Sequence, residues 1–368
     1  MSSVKKLAEA IEQGLKETLP HVRKTVLRKL PLAIAAIMEA QTANTQEIAN
    51  RLPLDLDRLD MREQWLRRLL SSDQVVPEEI MEPYVRQILR ESSENGQVLQ
   101  LSMDQTDIGH RFAILVVSIR VGDRALPLVW HIEAGAANIG FSGQEVLLEK
   151  LLAWIPEGAV VLLSADRFYP SEALFIWLQA YGWQYRLRLK RNYLVDLGAG
   201  DLLTTGNLAK GVQERYEANV ALFDSAILTN LGILHESGHK EAWIVAMECS
   251  PSRVKVLDYS ARWSIEPSFA DFKSRGFGLE ETHLECPNRL SRLMLMMALA
   301  MYWWVWVGRE DAFNHPTPTE KKHGNIPVQN IGQPKKLTGP CFHGLNEGYA
   351  FYYDMPKTPS HCPIFSAL

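Results

Sequence analysis

The chain has 368 residues, of which 46% are hydrophobic, so it can bury a large core and does not have the composition of a disordered protein. Lys and Arg total 39 against 43 Asp and Glu, and this net charge of −4 excludes a protein that binds nucleic acid through a uniformly basic surface. The four cysteines, with no charged-then-apolar leader before them, indicate a reducing, cytoplasmic compartment without a disulfide framework.

Residues 1–95 are predicted to form a helical N-terminal region, because apolar residues recur at helical spacing in Leu27–Met38 and in Met61–Leu70. Between these stretches, the sequence Asn-Thr-Gln-Glu at 44–47 predicts a capping box that opens a short helix, which ends before Pro53. Two short helices about a tight turn are compatible with a helix-turn-helix that binds DNA ends. A helical packing module is at least as compatible with the same pattern.

Residues 96–191 change to strand-like patterns that then alternate with helices. The predicted elements are the strands Val98–Met103, Phe112–Ile119 and Ala125–Ile132, the helix Ser142–Ile155, the strand Ala159–Leu163, the helix Ser171–Tyr181 and the strand Trp183–Leu189. Short connections between the first three strands indicate an antiparallel meander. The whole order predicts an α/β (α+β) fold, in which an RNase H-like mixed sheet is flanked by helices.

Residues 192–256 interrupt the alternation with strand-like pieces and frequent glycines, which predicts a β-rich insertion. The RNase H-like domain is expected to resume over 257–309, with a helix from about Pro287 to Val307. The apolar run 293–307 within this helix is shorter than the ~20 residues that cross a bilayer, so we expect a buried core helix. Aromatic residues near its end leave a membrane-interface position as the alternative. Residues 310–368 are expected to be an irregular tail.

Short basic stretches are the candidates for local contact with phosphates. They are 21–29, Arg67-Arg68 and the group Arg186, Arg188, Lys190 and Arg191. Solvated surface charge is the more common role of each stretch taken singly.

Two aspartates follow predicted strands that would be neighbours in an RNase H-like sheet. Asp104 follows the first strand and Asp166 follows the fourth, so their carboxylates are expected to meet at one edge of the sheet. Phosphodiesters are cleaved with two divalent cations about 4 Å apart, and Mg²⁺ prefers carboxylate oxygens. We therefore expect both residues to bind two Mg²⁺ or Mn²⁺ ions. A lone Asp after a strand is usually a turn residue, so the prediction depends on the combination of sites.

The third expected metal ligand is Glu266, which lies in the pattern Tyr-x2-Arg-x3-Glu-x6-Lys formed with Tyr259, Arg262 and Lys273. Ser264 is predicted to cap a helix that carries Glu266 in its first turn and Lys273 on the same face two turns later. An arginine fork binds phosphate well, and Tyr259, Arg262 and Lys273 are the DNA-binding candidates. Taken singly, they would be a core-edge aromatic residue and a solvated helix face.

These residues resemble the DDE transposases of bacterial insertion sequences, specifically the insertion-sequence-four group with the Tyr-Arg-Glu-Lys signature. The resemblance covers about 98–309: Asp104-Gln-Thr is similar to the first Asp-x-Thr, Ser-Ala-Asp166-Arg to the second motif, and 259–273 to the signature. It implies a Mg²⁺-dependent polynucleotidyl transferase that cuts transposon ends and joins the freed 3′-hydroxyls to target DNA. The implied partners are double-stranded DNA, as terminal inverted repeats and as target, and a second copy in a synaptic homodimer at the bacterial nucleoid.

The resemblance also implies a hairpin intermediate, in which a flipped base stacks on a Trp of the inserted β-region. Trp243 is positioned like that Trp, whereas the apolar residues around it favour a core position. Phe168 departs from the family, which commonly has a small residue there, and it is expected to crowd the site. The segment after Arg309 also departs, because it lacks the basic, helical ending that the family uses to pair subunits.

Two other functions are compatible with the sequence. A decayed or domesticated copy that binds DNA without cutting it would explain the acidic net charge and the unusual C-terminal segment. A nuclease that acts on RNA–DNA hybrids is less favoured, since such an enzyme has no use for a long β-rich insertion or for the Tyr-Arg-Glu-Lys helix.

Overall fold

The computed structural model describes residues 3–121, 124–198, 202–224, 226–236 and 240–314. Helices fill the N-terminal region, as predicted. They are α1 (Ser3–Thr18), α2 (Lys24–Ala40), α3 (Thr45–Arg51), α4 (Leu59–Leu70) and α5 (Pro77–Ser92).

The short helix α3 begins at the predicted cap. The Asn44 side chain accepts a hydrogen bond of 3.0 Å from the backbone N–H of Gln46. In a capping box, the Glu47 side chain would accept a hydrogen bond from the backbone N–H of Asn44. This N–H donates instead to Thr42 Oγ1 at 3.1 Å. Arg62 then fixes the connection from α3 to α4 by donating to four backbone carbonyls between residues 50 and 56.

Among the described residues, ten strands form one mixed sheet in the order β3-β2-β1-β4-β5-β10-β9-β8-β6-β7. The strands are β1 (Leu99–Ile108), β2 (Phe112–Val121), β3 (Arg124–Ala134), β4 (Val161–Ala165), β5 (Gln184–Arg188), β6 (Leu194–Asp196), β7 (Leu202–Thr204), β8 (Glu214–Leu222), β9 (Ile227–Leu234) and β10 (Trp243–Met247). Strand β1 is antiparallel to β2 and parallel to β4, and β4 is parallel to β5. The predicted RNase H-like mixed sheet is confirmed.

Helices cover this sheet. They are α6 (Phe141–Trp154), α7 (Glu172–Ala180), α8 (Thr205–Leu208), α9 (Arg253–Leu257), α10 (Ile265–Ala270) and α11 (Pro287–Asn314). Helices α6, α10 and α11 contact β3, and α2 and α5 of the N-terminal region contact α11 in turn. The mixed sheet flanked by helices follows from the predicted alternation of strands and helices.

The segment predicted as a β-rich insertion carries β6 to β10. Strand β10 pairs antiparallel with β5, so these strands extend the sheet that contains β1 and β4. Continuous pairing gives the backbone groups of β5 partners on both sides, which leaves no exposed edge at this point. The domain boundaries at 95, 191, 256 and 309 stay predictions.

Helix α11 is buried over residues 293–302. The helix ends at Asn314, whereas an irregular tail was expected from residue 310. The rest of the predicted tail, 315–368, lies outside the described residues. Within the described ranges, no helix combines the length and the apolar character needed to span a bilayer.

The signature residues lie on a continuous helical run rather than on a helix capped at Ser264. After α9, a 3₁₀ segment covers Asp258–Ser264, then α10 follows, and a π-helical turn covers Asp271–Arg275. The backbone of Ser264 is helical (φ −61°, ψ −20°) and its hydroxyl donates to the Ala261 carbonyl, so it is not a helix cap. The cap is Ser252, whose side chain accepts from the Lys255 N–H.

Candidate active site

Asp104 lies inside β1 and not after it. The predicted strand ended at Met103, yet β1 continues to Ile108 because its antiparallel pairing with β2 runs on to the Ile108–Phe112 pair. The parallel pairing of β1 with β4 does end at Met103 and Ala165. Asp104 therefore stands where β1 and β4 part, and Asp166 directly follows β4, so both carboxylates lie at the same opening between the strands.

The Asp104 carboxylate is held on both oxygens. Its Oδ1 accepts hydrogen bonds from the Gln105 backbone N–H (2.9 Å) and from the Tyr169 hydroxyl (3.1 Å), and its Oδ2 accepts from Arg262 Nη1 (2.6 Å). Burial raises the pKa of Asp104 above its usual range, and the positive charge of Arg262 opposes that shift. The nearby guanidinium thus favours the ionised form of Asp104.

Asp166 is held by its own turn and by the signature tyrosine. Its Oδ1 accepts from the Arg167 backbone N–H (2.7 Å) and from the Tyr259 hydroxyl (3.3 Å). Burial raises the pKa of Tyr259 to about 12, so its hydroxyl keeps its proton and donates at neutral pH. Tyr169 connects the two aspartates, since its backbone N–H donates to the Asp166 carbonyl (3.1 Å) while its hydroxyl reaches Asp104.

Arg262 is the shared partner of these groups. Its Nε donates to the Tyr259 hydroxyl (3.0 Å), Nη1 to Asp104 Oδ2 (2.6 Å) and Nη2 to Glu266 Oε1 (3.2 Å). Only 7% of the Arg262 side chain is exposed, against 59% of that of Glu266. Asp104, Asp166 and Glu266 are therefore joined in one hydrogen-bonded network through Arg262 and Tyr259.

The carboxylates gather around a guanidinium in this arrangement. Within the part of the chain that the structure describes, no group of three or more His, Cys, Asp and Glu side chains is arranged to hold a metal ion. The donor set itself fits Mg²⁺ or Mn²⁺, because all three groups supply carboxylate oxygens and Glu266 is exposed enough to turn. The expected site thus has suitable ligands, and Arg262 takes the place of a cation among them.

Most residues of this network lie in a segment that matches a known protein family. The family model described as transposase DDE domain matches residues 105–303, more than half of the chain. The chain belongs to the DDE transposase family. The match contains Asp166 and the four signature residues, and it begins directly after Asp104. The family consists of DNA-binding enzymes of the polynucleotidyl transferase type. A comparison with curated proteins finds no match.

Lys273 of this transposase lies in the π-helical turn, where the ring-closing hydrogen bonds span one more residue than in an α-helix. The regular spacing that predicted its alignment with Glu266 therefore does not hold. Its ammonium group forms an ion pair with Glu280 at 3.4 Å. Its contact with DNA stays a prediction.

Trp243 packs inside the protein, and a second tryptophan of the transposase faces solvent. The Trp243 side chain is buried (5% exposed), with its ring edge-on to Tyr259 (centroids 5.5 Å apart) and to Trp263 (5.3 Å). Trp263 is 41% exposed and directly follows Arg262 in the chain. Base stacking on Trp243 stays a prediction. Trp263 was not among the residues predicted from the sequence, although its position inside the signature could have identified it.

The Phe168 side chain, which was expected to crowd the site, lies at the surface. Its ring is 48% exposed, with the Arg167 guanidinium 5.6 Å and the Lys190 ammonium 5.2 Å from the ring centroid. Cations over an aromatic face are attracted by its quadrupole, which accounts for this outward position.

Arg186 is buried, although it was a candidate for local phosphate contact. It is 1% exposed and bonds to Glu248 (3.0 Å) and Asp258 (3.4 Å). It also donates to the backbone carbonyls of Lys255 (3.0 Å) and Tyr185 (2.7 Å). Arg186 therefore ties β5 to α9 and to the residue that precedes Tyr259.

Proposed function

We propose that the chain is the transposase of a bacterial insertion sequence with the Tyr-Arg-Glu-Lys signature. It cuts the transposon ends and joins the freed 3′-hydroxyls to target DNA by transesterification at the same site. The observation that carries this proposal is the convergence of Asp104, Asp166 and Glu266, from three distant parts of the chain, on Arg262 and Tyr259. Membership of the DDE transposase family supports it.

Asp104, Asp166 and Glu266 are the residues that would hold two Mg²⁺ or Mn²⁺ ions. Bound there, the ions would activate the attacking oxygen and stabilise the leaving oxygen of the phosphodiester. The two aspartates are fixed beforehand by backbone N–H groups of Gln105 and Arg167, so little side-chain freedom is lost when ligands bind. Glu266 is exposed and completes the set from α10.

The signature residues and the neighbouring Trp263 would contact the DNA or orient the groups that do. Arg262 presents a planar fork suited to a phosphate, and Lys273 carries a second positive charge farther along the helical run. Tyr259, protonated at neutral pH, orients Asp166 through its hydroxyl. Trp263 offers an exposed ring beside these groups, on which an unstacked base could rest.

The partners follow from the same function. The substrate is double-stranded DNA, first as the terminal inverted repeats and then as the target, and 1–95 is the region proposed to bind the ends. A second copy would pair in a synaptic homodimer, since two ends must be processed together. DNA binding places the enzyme at the nucleoid.

A copy that binds DNA without cutting it is the second candidate. The observation that favours it is the closure of the carboxylates on Arg262, with Nη1 2.6 Å from Asp104. Footprints on the inverted repeats without nicking under any divalent metal would support this candidate, and nicking would exclude it.

The two candidates are separated by cleavage of DNA that carries the element's own inverted repeats, with Mg²⁺ or Mn²⁺. We expect nicks that leave 3′-hydroxyls at the ends, and we expect Glu266→Gln to abolish them while end binding persists. Glu133→Gln is the matched control, because Glu133 is exposed and pairs with His131 rather than with Arg262. Retained cleavage in Glu266→Gln would contradict the proposal, as would equal cleavage of an RNA–DNA hybrid and a DNA duplex.

A further inference from the structure

Arg262 stands between carboxylates at the place where the proposed function puts cations. Its Nη1 bonds to Asp104 of β1 and its Nη2 to Glu266 of α10, two residues far apart in the chain. We propose that Arg262 is an internal counter-cation, which divalent metal ions displace and which then binds a DNA phosphate. This inference rests on the proposed function.

A buried carboxylate needs a nearby positive charge, because its desolvation is costly. Asp104 has only 18% of its side chain exposed, and the neighbouring Asp166 adds a second negative charge. Without a cation, the negative charges of the carboxylates would repel one another. Arg262 supplies one positive charge and so keeps the ligands assembled before metal arrives.

Arg262 and a metal ion would compete for the same oxygen atoms. Asp104 Oδ1 already accepts from Gln105 and Tyr169, whereas Oδ2 accepts from Arg262. Glu266 Oε1 is likewise the atom that Arg262 contacts. A metal ion that binds Asp104 through Oδ2 must therefore break the ion pair with Arg262. The exchange replaces the guanidinium by divalent ions, and no covalent bond is formed or broken.

The contacts of Arg262 are of a kind that can be exchanged. Among the described residues, the hydrogen bonds of its guanidinium go to side chains, namely those of Tyr259, Asp104 and Glu266. Trp263 and Glu266, which both follow Arg262 in the sequence, are exposed, so solvent and DNA can approach this face. Bound metal ions would repel the guanidinium, which would then bind a DNA phosphate through two parallel hydrogen bonds.

Metal binding and DNA binding are then coupled, and each strengthens the other through Arg262. In the absence of DNA, the counter-cation weakens metal binding, because part of the binding free energy is spent on breaking its ion pairs. In the presence of DNA, a phosphate forms a new ion pair with the displaced guanidinium, and this contact offsets the free energy lost with the carboxylate ion pairs. The enzyme therefore loads its metal ions together with its substrate.

The test is Mn²⁺ binding by the full chain, followed by the electron paramagnetic resonance signal of free Mn²⁺. Without DNA, we expect Arg262→Gln to bind Mn²⁺ about tenfold or more tightly than the unchanged protein. A short inverted-repeat duplex should tighten Mn²⁺ binding by the unchanged protein about tenfold and leave Arg262→Gln almost unaffected, after subtraction of the Mn²⁺ held by the duplex alone. The matched control is Arg215→Gln, which removes a guanidinium paired with Glu217 in β8 and should change the affinity by less than about threefold.

The outcomes separate the inference from the function on which it rests. Equal or weaker Mn²⁺ binding by Arg262→Gln overturns the inference and leaves a metal-dependent transposase in place. No Mn²⁺ binding by any of the proteins, with or without the duplex, overturns both.

A second measurement uses the unchanged protein and so avoids any loss of folding in the variant. With ¹⁵N-labelled arginine, the Nε–Hε signal of Arg262 is assigned by its absence from Arg262→Lys. Adding Mg²⁺ should shift this signal while that of Arg186 stays in place, since Arg186 is held by backbone carbonyls. An Arg262 signal that does not respond to saturating Mg²⁺ would overturn the inference.

Discussion

Arg186 and Arg262 are both buried and both bond to carboxylates, but their other hydrogen-bond partners differ. Arg186 bonds to Glu248 and Asp258 and also to two backbone carbonyls, so it cannot leave without disturbing β5 and α9. Arg262 bonds to side chains of the candidate site. A buried arginine fixed to the backbone stabilises the fold, whereas one fixed to side chains can change partners during a reaction.

The two clusters are also connected. Asp258, a partner of Arg186, directly precedes Tyr259, whose hydroxyl accepts from Arg262 and donates to Asp166. Arg186 therefore helps to position the 3₁₀ segment that carries Tyr259 and Arg262. Changes in the first cluster should appear as lost stability, and changes in the second as lost chemistry.

The largest expected effect is that of Asp166→Asn on cleavage. Its amide keeps the size of the carboxylate and can still accept from Tyr259, but it loses the charge that would bind metal. Metal ions contribute several kcal/mol of transition-state stabilisation, so the single-turnover rate should fall about 1,000-fold or more. The midpoint of urea unfolding should change little. A rate above about one tenth of that of the unchanged protein would show that Asp166 holds no essential ion.

The next effect separates the two tryptophans near Tyr259. Trp243→Ala should lower the free energy of unfolding by about 4 kcal/mol, because it leaves a cavity against Tyr259 and Trp263. Trp263→Ala should lower it by less than about 1 kcal/mol, yet weaken processing of the transposon ends through the loss of about 1–3 kcal/mol of base stacking. Urea unfolding and end-cleavage rates measure both. A stable Trp243→Ala with defective end processing would return the stacking role to Trp243.

The smallest expected effect is the difference in the free energy of unfolding between variants of Arg186 and Arg262. Arg186→Gln should lower the free energy of unfolding by about 3 kcal/mol, since it removes a buried guanidinium that bonds to two partly buried carboxylates and to two backbone carbonyls. Arg262→Gln should lower it by about 1–2 kcal/mol, because Glu266 is exposed and Gln can still donate one hydrogen bond to Asp104. Urea titration of the metal-free proteins gives both values. The reverse order would mean that Arg262 is the structural residue of the pair.

Local patterns in the sequence predicted most of the sheet and singled out the five residues of the Arg262 network, whose roles in catalysis and DNA binding stay predictions. The alternation of strands and helices, the cap at Asn44 and the strand that precedes Asp166 all depend on neighbouring residues. The extent of β1 was missed, because residues 104–107 are mostly polar and resemble a turn. What extends the strand is its pairing with Phe112–Ile119, which a local pattern does not contain.

The remaining differences also come from long-range contacts. Arg186 sits in a basic stretch that suggests exposure, and its burial depends on Glu248 and Asp258, more than sixty residues later. Ser264 has the right chemistry for a cap, but the preceding 3₁₀ segment had no clear pattern of its own. The place of Arg262 between Asp104 and Glu266 could be predicted only once β1 and the helical run were known to meet.

The shared metal site of Asp104, Asp166 and Glu266 can be mapped by iron-directed cleavage of the polypeptide. Fe²⁺ replaces Mg²⁺ on carboxylate ligands, and with ascorbate and peroxide it generates radicals that cut the backbone nearby. With an inverted-repeat duplex present, we expect cuts close to residues 104, 166 and 266 in the same preparation, and their suppression by excess Mg²⁺. Cuts confined to other parts of the chain, or cuts at only one of the three positions, would contradict a site built from all three carboxylates.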